Sequence, residues 1–138
     1  MIVVDTNIIA YLLIKGENTE LVKKLLKLDP EWISPVLWRS EFRNVVSMYI
    51  RYKYFDVSEA QFIVNKAEEL MKEGEFQVQS RDVIELAAES GCSAYDCEYV
   101  ALARDADVKL ITTDRELLKA FPGIADHPQN VISNSLIV

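Results

Sequence analysis

Four carboxylates stand where a folded chain could gather them: Asp5, Glu41, Asp96 and Asp114. Asp5 closes the apolar, β-branched run Ile2-Val3-Val4 and is followed by Thr6-Asn7, residues that favour helix starts. Asp114 follows Val108-Lys109-Leu110-Ile111-Thr112-Thr113 and repeats that pattern of strand, turn and acid. Glu41 lies three residues past Trp38 and four before Val45, at the edge of an apolar helical stripe. Asp96 falls in the first turn of a helix of small and apolar residues and shares its inner face with Tyr99, Val100 and Ala103. In an open α/β sheet, strand C-termini and the N-termini of the following helices share the rim where ligands bind. The four acids are expected on that rim. Bare, they would repel one another and raise each other's pKa. A divalent cation removes the conflict, and an all-oxygen set without His or Cys favours a hard ion, Mg2+ or Mn2+. No histidine base, serine nucleophile or lysine motif accompanies them, so metal-activated water is the economical nucleophile.

Each acid also has a local reading. Ser93-x-x-Asp96 and Thr113-x-x-Glu116 match capping boxes, which would leave Asp96 on backbone N–H groups and Asp114 as a favourable first-turn charge. Asp5 can be a plain N-cap, and Glu41 can pair with a nearby arginine. Capping and metal ligation are compatible for the aspartates. An inward Glu41 is the residue that local readings explain least well, because a buried unpaired charge is costly.

Regular elements must position these groups. After the first strand, Ile8 to Ile14 reads as a short helix, and Lys15-Gly16-Glu17-Asn18 breaks it, with Asn18 placed to cap the next. Leu21, Val22, Leu25, Leu26 and Leu28 form that helix's stripe as far as Asp29-Pro30. Trp32-Ile33-Ser34 is a second strand closed by Pro35, with Trp32 and Trp38 assigned to the core. A long helix follows from Val36 to Tyr52, with Trp38, Phe42, Val45, Tyr49 and Tyr52 on one arc. A fourth helix starts within Asp56-Val57-Ser58-Glu59, with Ser58 and Gln61 as its capping box. It buries Phe62, Ile63, Ala67 and Leu70 and stops at Gly74. Phe76-Gln77-Val78 alternates as a third strand. Ser80 opens a helix closed by Gly91, and the helix carrying Asp96 runs on until Asp107. Arg115 to Phe121 is a last short helix, Pro122 to Asn130 a loop exposing His127, and Val131-Ile132 an edge strand. Strand and helix alternate throughout, which favours a parallel sheet with helices on both faces.

The chain has 138 residues, half of them hydrophobic, with four glycines and four prolines, which is a single globular domain large enough for its own core. No apolar stretch is long enough to span a bilayer, and the N-terminus lacks a secretory pattern, so a cytoplasmic location is expected. Cys92, Cys97 and the single histidine, His127, fall short of a four-ligand zinc site, and both thiols are expected reduced and buried. The net charge of −7 argues against a general nucleic-acid-binding surface. It leaves room for a nucleic-acid enzyme that gathers its acids around metal.

The successive stretches Val4-Asp5-Thr6-Asn7-Ile8, Ser40-Glu41-Phe42, Tyr95-Asp96-Cys97-Glu98-Tyr99-Val100-Ala101-Leu102-Ala103 and Thr112-Thr113-Asp114 resemble the motifs of the PIN-domain family, most closely its small VapC-type toxins. The resemblance spans nearly the whole chain in order. It implies one PIN-like domain over residues 1–138, a three-layer α/β/α sandwich around a mostly parallel sheet of about five strands. It also implies a Mg2+- or Mn2+-dependent endoribonuclease, the toxin of a type II toxin–antitoxin pair. Carried over, Asp5, Glu41, Asp96 and Asp114 form the acidic quartet. Thr6 or Asn7 and Thr112 or Thr113 are polar supports, and Ser40 fits the small residue before the glutamate. Asp5, Asp96 and Asp114 would hold the metal, and Glu41 a second ion or the attacking water. In-line attack on RNA would leave a 5′-phosphate and a 3′-hydroxyl.

Arg39 and Arg43 on the Glu41 helix, and Arg115 beside Asp114, are candidate RNA phosphate contacts or ion-pair partners of the acids. Met48-Tyr49-Ile50-Arg51-Tyr52-Lys53-Tyr54-Phe55 is rich in aromatics, which points to a homodimer and antitoxin docking nearby, or to a core hairpin between two helices. The competing function is a non-catalytic PIN-like module that binds RNA or a partner; its signature would be a missing acid, and none is missing. A receiver, which needs adjacent acids before its phosphorylated Asp and a later Lys, fits poorly, and so does a haloacid-dehalogenase-like phosphatase, which wants Asp-x-Asp where the third position here is Asn7.

Overall fold

Ile2-Val3-Val4 is buried on both sides and becomes β1 (Ile2–Val4). The structure, a computed structural model, describes residues 1–136. The other strands are β2 (Trp32–Pro35), β3 (Glu75–Phe76), β4 (Leu110–Ile111) and β5 (Ala125–Asp126). They form one sheet in the order β3-β2-β1-β4-β5, and every pairing is parallel. Val3 lies opposite Ile33 on one side and Leu110 on the other. Successive residues feed opposite cores, as the pleat requires: Ile2, Val4, Trp32 and Ile111 one, Val3, Ile33, Leu110 and Ala125 the other.

The first core is covered by α1 (Thr6–Leu13), α2 (Thr19–Leu28), α3 (Trp38–Arg51) and α4 (Val57–Met71). The second is covered by α5 (Ser80–Ser90), α6 (Ala94–Ala106) and α7 (Arg115–Ala120). The chain ends its described course in α8 (Pro128–Ser135), which returns to the first core through Val131 and Ile132. This is the expected three-layer α/β/α arrangement. From β1 the chain steps outward to β2 and β3, then crosses back to β4 on the other side of β1. The strand order therefore reverses between β1 and β4, and a crevice opens at their C-terminal ends.

Local chemistry explains the element ends. Trp38, Phe42 and Val46 recur every fourth residue and bury the inner side of α3. Gly91 and Asp107 close α5 and α6 in the left-handed conformation, with φ of 75° and 54°. Gly74 carries a different demand. A Cβ there would lie 2.1 Å from the Trp32 carbonyl oxygen, so only glycine lets the chain leave α4 flush against β2.

Several expectations are corrected. The α4 capping box is Asp56 with Glu59, two residues earlier than Ser58 and Gln61, because α4 itself begins at Val57. Phe62 is 61% exposed, and the buried face of α4 is Ala60, Ala67 and Met71. Asn18 makes no side-chain cap; Thr19 instead accepts from the Gly16 N–H and donates to the Tyr11 carbonyl. The third strand stops at Phe76, because β2 turns into α3 after the Val36 N–H bonds the Phe76 carbonyl, leaving Val78 nothing to pair with. Val131-Ile132 is helical: Pro128 occupies the first turn of α8, and His127 caps it through Nδ1, which accepts from the Gln129 N–H. The edge strand is β5 instead. Cys97 is buried, Cys92 is half-buried, and neither is in a disulfide. Tyr49 stacks on Phe55 in the turn between α3 and α4, whereas Tyr52 and Tyr54 are exposed. Among the described residues no helix is long and apolar enough to cross a membrane.

Candidate active site

Asp5 ends β1 and caps α1 with extended backbone, so its side chain turns back over the sheet rim. Its two oxygens are both held. Oδ1 accepts from the Ile8 N–H at 3.2 Å, and Oδ2 accepts from the Thr112 hydroxyl at 2.5 Å. Thr112 is fully buried at the end of β4, and its Oγ1 also accepts from the Asp114 N–H at 3.0 Å. One threonine thus ties the two central strand ends together. Burial pushes the Asp5 carboxyl up to about 6, with the charges of Asp114 and Glu41 adding and its two hydrogen bonds opposing.

Glu41 enters from the first turn of α3. Its Oε1 accepts from Thr6 Oγ1 at 3.0 Å and, over a very short contact, from the Tyr99 hydroxyl. Thr6 and Tyr99 are themselves hydrogen-bonded at 2.8 Å. Burial and the Glu41 carboxylate both push the Tyr99 hydroxyl well above the ordinary phenol range. Asp96, half-buried in the first turn of α6, has its carboxyl raised by burial and then by the charges of Asp114 and Glu41. Asp114 caps α7, its Oδ1 accepting from the Glu116 and Leu117 N–H groups.

All four acids border one cleft of about 440 Å3, together with Thr6, Asn7 and Ser40. Thr112 lies buried beneath it, and Thr113 accepts or donates to the Tyr11 hydroxyl at 3.3 Å behind it. The aspartates keep their capping roles at the same time, so the local readings and the shared cleft coexist. Among the described residues, no three acids, histidines or cysteines are arranged to hold a metal ion as they stand. Glu41 is drawn onto Thr6 and Tyr99, and Asp114 onto its own helix, which keeps like charges apart. The donor set is nonetheless all oxygen, partly desolvated and mutually repulsive, which fits a hard divalent cation.

The arginines fall elsewhere. Arg39 and Arg43 stand two residues either side of Glu41, a spacing that puts them on the far side of α3. Arg39 grips Glu75 on β3 and Glu68 on α4, and Glu75 also accepts from the Trp38 indole N–H. Arg43 borders a groove between α3 and α4. Arg115 is exposed beside Asp114 and makes no ion pair among the described residues. Three polar cleft residues are not among the expected site residues: Asn44, three after Glu41; Tyr95, next to Asp96; and Tyr99, which the sequence reading places on the inner face of its helix without a role. A tyrosine on an inner helix face needs a partner for its hydroxyl, and that was the available signal.

Residues 2–122 match the family model described as PIN domain. The chain belongs to the PIN-domain family. It is similar to Ribonuclease VapC3 of Pyrobaculum aerophilum, at 30% identity over 128 residues, covering 89% of this chain and 96% of that protein. Its PIN fold is shared with the crystal structure of PAE2754 from the same organism, at 21% identity and a TM-score of 0.77, over 99% of this chain and 97% of that one. It is shared too with a toxin–antitoxin complex from Klebsiella pneumoniae, at 19% identity and a TM-score of 0.69, over 93% and 98% of the two chains. In this PIN domain the acid cleft sits at the reversal of strand order, where the topology itself opens the sheet.

Proposed function

We propose that the protein is a metal-dependent endoribonuclease, the toxin of a VapC-type toxin–antitoxin pair. The observation that carries this reading is the meeting of Asp5, Glu41, Asp96 and Asp114 on one cleft. The likeness to a ribonuclease over nearly the full chain supports it. Asp5, Asp96 and Asp114 are assigned to Mg2+ or Mn2+, and Glu41 to a second ion or to the attacking water. When bound, the cation offsets the repulsion among the acids, makes water a stronger nucleophile and neutralises charge on the phosphate. The chain supplies the rest. Thr112 and the start of α1 fix both oxygens of Asp5, so that group cannot swing away from the rim. Thr6 and Tyr99 occupy Oε1 of Glu41, which leaves Oε2 as the atom that accepts a proton or a ligand. Arg115, beside Asp114, is assigned to an RNA phosphate. The exposed Tyr52 and Tyr54 are assigned to self-association, with an antitoxin docking nearby; a monomer by light scattering at micromolar concentration would refute the dimer. The similar toxin–antitoxin structure supports a protein partner.

The test is end-mapping of RNA incubated with the protein and Mg2+, or with a chelator. Cleavage leaving 5′-phosphate and 3′-hydroxyl ends only with Mg2+, and its near-complete loss in Asp96→Asn with the fold kept, is the expected result. Equal cleavage by Asp96→Asn, or cleavage in the chelator, refutes it.

A further inference from the structure

The hydroxyl of Tyr99 does something that capping and packing do not require. Tyr99 is 1% exposed, yet its hydroxyl reaches from α6 to Glu41 on α3 and to Thr6 on α1. Three oxygens, Glu41 Oε1, Thr6 Oγ1 and Tyr99 OH, are in mutual hydrogen-bond contact, and the two hydroxyls bring only two protons to the three contacts. With Glu41 ionised, the phenol donates along the shortest contact to Oε1, and Thr6 donates to Oε1 or to the phenol oxygen. In the second case the two bonds run in series and strengthen each other. Either way Oε1 is held by the phenol, with Thr6 acting on it directly or through the phenol oxygen, while Oε2 accepts no hydrogen bond among the described residues.

Each hydroxyl belongs to an element that also carries another of the acids. Thr6 follows Asp5 directly, and Tyr99 stands one helical turn after Asp96 on the same side of α6. We propose that Tyr99 is a positioning residue: with Thr6 it clamps one oxygen of Glu41, so that this carboxylate faces the cleft through its other oxygen alone. Glu41 then meets a cation or its water as a one-oxygen donor whose place is set by the elements bearing Asp5 and Asp96. This rests on the metal-dependent reading above.

Mn2+ binding, measured by calorimetry without RNA, tests it on the parent, Tyr99→Phe, Glu41→Gln and the double variant. Loss of a supporting bond of this kind lowers metal affinity about 10-fold or more. Tyr99→Phe is expected to weaken Mn2+ by that factor, and to add almost nothing once Glu41→Gln is present. Rates on RNA at saturating Mn2+ should then fall in kcat with KM little changed. If Tyr99→Phe unfolds, Thr6→Val and Thr6→Ser replace it: serine should keep the affinity and valine lose it. Mn2+ affinity in Tyr99→Phe equal to the parent's, or losses that multiply in the double variant, would overturn this inference alone. A parent that binds no Mn2+ would overturn it together with the metal-dependent reading.

Discussion

Replacing Asp5 by Asn should make the metal-free protein more stable while destroying its activity. The native carboxyl titrates at about 6, against an ordinary value of 3.8. Two pKa units at about 1.4 kcal/mol each amount to about 3 kcal/mol. The sign follows from proton binding. Between these two values the native state still holds a proton that the unfolded chain has released. The stabilisation is therefore complete below the unfolded value and is lost as pH rises through the folded one. Near neutral pH the parent bears the whole cost of a buried charge, and an amide does not. Asn still accepts the Ile8 N–H at the helix start, but it must offer its NH2 to Thr112, which costs about 1 kcal/mol in exchanged hydrogen bonding. The net expectation is a gain of about 1–3 kcal/mol near pH 7, or roughly 3–10 °C in Tm. Thermal and urea unfolding in chelator, from acidic to neutral pH, measures it. The difference should shrink as the pH falls and reverse to about 1 kcal/mol in the parent's favour near the pKa of a free aspartate, where only the exchanged hydrogen bond remains. Mg2+ should then raise the parent's Tm well above the variant's. A parent as stable as Asp5→Asn near pH 7 in chelator, or a difference that ignores pH, would show that Asp5 is not held at an energetic cost.

Arg39→Ala should lower stability by about 1–2 kcal/mol by orphaning Glu75 and Glu68, yet leave the salt dependence of RNA affinity unchanged. Arg115→Ala should do the reverse, reducing the slope of log affinity against log salt by about one with little effect on unfolding. Filter binding across salt concentrations, with melts of the same variants, distinguishes the two. Gly74→Ala should cost about 3 kcal/mol or more, since its methyl would meet the Trp32 carbonyl, and a Tm near the parent's would refute that packing.

The layers and the rim were legible because they follow from patterns within single elements. An apolar strand ending in an acid, as at Asp5, and a cap followed by a periodic helix, as at Ser93, announce themselves locally. What stayed hidden depends on partners distant in the chain. Tyr99 reads as one more inner-face aromatic until Thr6 and Glu41 are placed beside it. Arg39 reads as a companion of Glu41, although its partners come from α4 and β3. The two-residue strands β3 and β5 carry too few side chains to show a period, and their position is fixed by the neighbouring strand instead. Val131-Ile132 carries strand-like residues, but Pro128 and the His127 cap start a helix before they are reached.

The Thr112–Asp5 bond joins residues 107 positions apart. Contacts of such range form only after the intervening loop has been closed. During synthesis, a chain that has not yet produced β4 lacks both the hydroxyl that steadies Asp5 and one side of the crevice. On the proposed activity, the growing polypeptide cannot cut RNA until β4 has been made and Thr112 has reached Asp5. Fragments ending before Leu110 should be harmless to a host cell, however well their first helices form.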